Sequence, residues 1–143
     1  MYFPAREGYI INVSESDSLI ERIKAVVDFE RKNNTNADVF FKPSRLISIK
    51  SNGERHLQNY LALKRGKVQV DSKKSYLLDA GKYGVIDHIG NSNDIDKSYR
   101  VLLEYIRDKG FKIQFTALEV LVVSSSLTDK IEEWRTRIQI PLQ

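Results

Sequence analysis

The chain has 143 residues, 41% hydrophobic and 29% charged, the size and balance of one globular domain. It has no cysteine, which excludes disulfides, thiol catalysis and cysteine-ligated metal sites, and no apolar run approaches the ~20 residues of a membrane span. The net charge of +4 is spread over 23 basic and 19 acidic residues rather than gathered into one stretch, unlike a nucleic-acid-binding face.

A first strand is expected at 8–13, Gly-Tyr-Ile-Ile-Asn-Val. Ser18 followed by Glu21 matches a capping box, with Asp17 as an alternative cap, and opens a helix striped by Leu19, Ile20, Ile23, Val26 and Val27. Asn33 to Asn36 stops it. A strand then begins at Asp38, and Pro43 suggests an edge or a bend in it. Ser51-Asn52-Gly53 is a hairpin turn, and Arg55 to Leu63 returns with Leu57, Leu61 and Leu63 on one face and His56, Gln58 and Tyr60 on the other. The segment from Lys64 to Lys74 reads as an exposed linker; its basic patches, Lys64-Arg65-Gly66-Lys67 and Lys73-Lys74, are solvated surface.

The second half repeats this order at an interval of roughly 75 residues. Tyr76 to Ile89 is strand material broken at Gly81, and Asn91 to Asp94 caps a helix striped by Ile95, Tyr99, Leu102, Leu103 and Ile106 that ends before Gly110. The run Thr116 to Val123 is a largely interior strand, followed by a turn across Ser124 to Lys130 and a last strand from near Trp134 to Leu142. The pattern is β-α-β-β twice, with pseudo-repeats at about 8–64 and 75–143. Together they predict one α+β domain, antiparallel-rich, with two helices on one side of the sheet and a central cleft.

The chemical content is sparse. No Gly-rich phosphate loop, paired-His metal spacing or nucleophile elbow occurs, so neither cofactor nor metal is expected. His88 stands at a strand end, and its neighbour Asp87 points to the opposite face, so a His-Asp pair is not expected. The unusual residue is Glu119, a carboxylate in the middle of an apolar strand. It must find a cation or hydrogen bonds, or hold its proton. Trp134, Tyr60, Tyr83, Phe40 and Phe41 fall on expected strands and are core by default; any that line a cleft with Glu119 would suit a lipophilic organic cation.

Gly81 to Gly90, Tyr99 to Gly110 and Glu133 to Leu142 resemble, in motif and in order, the effector-binding domain similar to gyrase-inhibitor proteins. That family also supplies the carboxy-terminal sensor of multidrug-responsive transcription activators of the MerR and AraC classes. The resemblance implies the duplicated βαββ fold and a ligand cleft with a glutamate at its base, where Glu119 falls. It places Trp134 at a pocket tyrosine and Leu121 at an aliphatic pocket residue, while Ile95 and Leu19 stand where the sensors carry tyrosines. Many relatives have an acidic residue where this chain has Arg137, which leaves two readings of Glu119: it faces a ligand, or it pairs across the final hairpin with Arg137.

The function so implied is a cytoplasmic sensor of a small amphipathic ligand, with Glu119 as charge complement and Trp134, Tyr60 and Leu121 as walls. DNA would be reached only through a separate domain, so the chain is a free-standing member or one part of a longer regulator. A protein-interaction module with a protein partner is the alternative. A small hydrolase of reactive electrophiles, using Glu119 or His88 with a tyrosine donor, ranks below both.

Overall fold

The computed structural model describes residues 1–11, 41–64, 75–123 and 130–143. The expected first helix with Leu19, the basic linker patches from Arg65 on and most of the turn after Ser124 lie outside the described residues. Eight strands are present among those described: β1 (Tyr2–Phe3), β2 (Arg6–Ile11), β3 (Phe41–Ile49), β4 (Arg55–Lys64), β5 (Ser75–Leu78), β6 (Gly81–Ile89), β7 (Thr116–Val123) and β8 (Arg135–Pro141). The α-helix among the described residues, α1 (Ile95–Asp108), follows β6 after a 3-10 turn at Ser92–Asp94.

The strands form one antiparallel sheet in the order β1-β6-β8-β7-β3-β4-β2-β5. From the middle outward, β7-β8-β6 and β3-β4-β2 are the same arrangement, and they meet where β3 pairs with β7. That seam therefore joins two halves of equivalent topology. Only Pro4 and Ala5 separate Phe3 from Arg6 in the chain, yet β1 and β2 are six strand positions apart, about 29 Å in a flat sheet at the usual ~4.8 Å spacing. The link from Leu78 to Gly81 poses the same demand on β5 and β6. Both are met by curling the sheet until its edges approach. The Arg6 guanidinium accordingly stacks 4.2 Å from the Phe3 ring and 5.1 Å from that of Tyr83, and donates to Gln139 Oε1 at 2.6 Å.

Each face of the sheet carries a core. Leu46, Leu61, Leu63, Leu78, Leu118 and Val120 fill one face. Ile47, Ile49, Ala117, Ile138 and Ile140 fill the other, against Tyr99, Leu102 and Ile106 of α1. The helix lies close because Gly84 has no side chain: a Cβ there would stand 2.5 Å from Ile106 Cδ1 and 2.9 Å from its Cγ1. At its far end Gly110 N–H donates to Arg107 O and Phe111 N–H to Ile106 O, a Schellman closure that requires the positive φ of 78° at Gly110.

Three expectations are refined, and one strand is added. β3 is central rather than an edge; Pro43 is accommodated because pairing with β7 starts only at Ser44, leaving no ladder bond at Pro43 on that side. A bulge in the β3–β4 ladder, where the pairing steps from Asn59 to Leu57, shifts the alternation, so Leu57 joins the α1 side while Leu61 and Leu63 pack opposite. Asp94 makes no side-chain cap; Asn91 closes the turn, its Oδ1 accepting from Asn93 N–H at 3.0 Å. The strand β1 was not foreseen, being only two residues long.

Candidate functional site

The central seam places one charge from each half side by side. Arg45 of β3 stands directly opposite Glu119 of β7, with Tyr60 of β4 and Ile138 of β8 completing the row across four neighbouring strands. Directly opposed residues share a face of the sheet, and this is the face that α1 covers. Glu119 is 5% exposed. Its Oε1 lies 3.0 Å from Arg45 Nε, and its Oε2 accepts a 2.5 Å hydrogen bond from the Tyr99 hydroxyl on α1. The Arg45 Nε–H is not aimed along the contact, so this is an ion pair rather than an aligned hydrogen bond.

Glu119 thus does not pair with Arg137. In the β7–β8 register Arg137 lies opposite Val120, on the reverse face, and it forms a fork with Asp87 through Nε–Oδ1 at 2.9 Å and Nη2–Oδ2 at 3.3 Å. The hydrogen bond to Asp87 raises the Arg137 pKa above its ordinary value.

Tyr99 is the residue that sequence reasoning assigned only to the helix stripe. Its ring is buried, and its other side carries the Arg55 guanidinium 4.0 Å from the centroid. Arg55 in turn is ion-paired with Asp96 on the first turn of α1. Burial, then the adjacent Glu119 carboxylate, push the Tyr99 phenol well above its usual value. It therefore remains a donor throughout the physiological range. The signal in the sequence was a tyrosine, the one polar-tipped residue in an otherwise aliphatic stripe.

The remaining expected site residues scatter. Leu121 is half-buried, opposite Thr136 and on the Glu119 face. Thr136 and Ile138 share that face, whereas Arg135 and Arg137 do not fall in the row with Glu119. Trp134 is half-buried on the extended residue that ends the 3-10 turn Ile131–Glu133, just before β8 rather than within it. Ile95 begins α1 and packs at the edge of the core below the helix. His88 is buried with both ring nitrogens engaged: Nε2 lies 2.8 Å from the Asn91 carbonyl, so it carries the proton, and Nδ1 accepts from Ser98 Oγ at 2.7 Å. That arrangement staples β6 to α1 and leaves His88 no lone pair for a ligand.

A groove of about 760 Å³ opens beside this centre, between α1 and the β3–β4 turn. Tyr99, Arg55, Asp96, Leu103, Ile106 and Ile113 are among its lining, and Glu119 reaches it only through its hydrogen bond with Tyr99. No cluster of metal-ligating side chains occurs among the described residues, and none of their helices is long and apolar enough to cross a membrane.

No protein-family profile and no curated protein matches the chain. Solved structures do. The EcmrR carboxy-terminal domain superposes with a TM-score of 0.70 at 15% identity, over 100% of this chain and 94% of that one. EcmrR in its DNA complex gives the same score at 17% identity, and there this chain spans 56% of the partner's length. SAV2435 bound to tetraphenylphosphonium matches at 0.62 and 14% identity, covering 100% and 92%. A hydrolase from Listeria innocua matches at 0.62 and 9% identity, covering 100% and 90%. The chain has the fold of the EcmrR carboxy-terminal domain, the α+β fold that its sequence resemblance implied.

Proposed function

We propose that this chain is the small-molecule-sensing domain of a transcription regulator. One bulky amphipathic ligand would rest against the β3–β7 seam, and occupancy would be passed to a DNA-binding domain elsewhere in the regulator. The observation that carries this reading is the Arg45–Glu119–Tyr99 cluster, three polar groups held at the junction of the two halves beside the aliphatic core under α1. Such a cluster costs stability relative to aliphatic packing, which fits a role in recognition better than one in folding. The fold shared with SAV2435, solved with tetraphenylphosphonium, and with EcmrR, solved on DNA, supports the assignment.

Glu119 as the complement of a lipophilic cation, the finer expectation, meets an occupied carboxylate. Both of its oxygens already have partners, so a cation gains only by displacing Arg45. The hydrolase alternative meets the same obstacle. Tyr99 is the donor such chemistry needs, but a carboxylate with both oxygens held offers no free site to activate water.

The test uses Trp134, the single tryptophan, which precedes the strand carrying Thr136 and Ile138. Bulky aromatic organic compounds should change its fluorescence saturably, and Leu121→Phe, which fills space beside Glu119, should weaken them at least fivefold. A flat response across cationic, neutral and anionic compounds contradicts the sensor reading. It would favour a protein-interaction module, for which the exposed pair Val101 and Tyr105 on the outer face of α1 is one apolar surface.

A further inference from the structure

The charges at the seam are unequal in what they offer a ligand. The Glu119 side chain is 6% exposed, whereas that of Arg45 is 23% exposed. Among the described residues Arg45 meets no carboxylate other than Glu119, and it does so through Nε, at the base of the guanidinium. The second pair has the opposite asymmetry: Arg55, 21% exposed, lies over the Tyr99 ring, and its partner Asp96 is 70% exposed on the helix surface. Asp96 stands in water, which screens it strongly, and Tyr99 with Arg45 shields Glu119, so at the seam itself Arg45 is the charge nearest a molecule entering this face.

Resting on the sensor reading above, we propose that the ligand is an amphipathic organic anion whose charge lies against the outer edge of the Arg45 guanidinium. An anion there adds to the existing ion pair without breaking it. A cation must first separate Arg45 from Glu119, and it then leaves a half-buried guanidinium without its partner. Tyr99 reinforces the preference. As a permanent donor on Oε2 it spreads the Glu119 charge and makes the carboxylate a poorer target.

Tetraphenylphosphonium and tetraphenylborate have nearly the same size and shape and opposite charge, so calorimetric titration of the protein with each isolates the sign of the site. The borate is expected to bind at least tenfold more tightly. Glu119→Gln, which releases Arg45, should widen that gap, and Arg45→Lys should keep it. The double variant carrying Arg45→Met and Glu119→Gln removes both charges together and should bring the two ions within threefold of each other. Intrinsic differences in hydration between the two ions would persist in that variant and so would be exposed by it. Tighter phosphonium binding, equal binding, or a preference that survives in the double variant overturns the anion assignment while leaving the sensor reading standing. Failure of both ions to bind overturns the sensor reading as well.

Discussion

Glu119 and Arg45 hold one another, and the energetics of that pair make the first prediction. Removing one partner of a mostly buried ion pair leaves a bare charge, which costs about 3–5 kcal/mol when fully buried; partial exposure of Arg45 lowers this to about 2 kcal/mol. Arg45→Met should therefore destabilise the protein by about 2 kcal/mol in urea denaturation. The double replacement by Met and Gln should cost clearly less than the sum of the single ones. Tyr99→Phe deletes the donor to a buried carboxylate and should cost about 1.5–3 kcal/mol, without the cavity that Tyr99→Ala would create. That Glu119 needed a partner was legible from its place in an apolar run. Which partner was not, because Arg45 lies 74 positions away and no hairpin fixes the register between β3 and β7. Arg137 was the neighbour a local argument could reach, and the β7–β8 register turns it to the reverse face.

Elements in the second half were legible in type and near their ends. The stripe from Ile95 to Ile106 became α1, the Glu119 run became β7, and Gly110 closed the helix. These have strong local signals: a 3.6-residue period, a dense β-branched run, a glycine at a left-handed position. Errors came where a single residue changes the outcome. The β4 bulge reversed one leucine out of three, and nothing in the alternation of Arg55 to Leu63 announces an extra residue. Gly84 makes the prediction at this scale. Its Cβ would overlap Ile106, so Gly84→Ala must push α1 outward and should cost about 1–3 kcal/mol, measurable as a lower urea midpoint at unchanged slope. Since Tyr99 rides on the same helix, ligand affinity should fall in that variant too, although Gly84 lies on β6 and away from Glu119.

At the scale of the molecule, the curled sheet brings two topologically equivalent triplets together at β3 and β7, and the polar cluster sits on that line. A ligand resting on the seam as proposed would touch both halves at once, and Tyr99, Arg55 and Asp96 would connect it to α1. Binding energy there is therefore able to change how the halves and the helix sit against one another, which is the motion a sensor has to transmit. The repeated order of strands in the two halves was visible in the sequence as a repeated pattern of elements. The seam was not, since it depends on how one half pairs with the other. The most direct measurement is a titration of isotope-labelled protein with tetraphenylborate followed by amide chemical shifts. Shifts confined to Arg45, Glu119, Leu121, Thr136 and the turn of α1 around Tyr99 are the predicted result. Shifts centred on Asn52 and Phe111 with Arg45, Glu119 and Leu121 unchanged, or on Arg6 and Gln139 across the sheet, would contradict a ligand site at the seam.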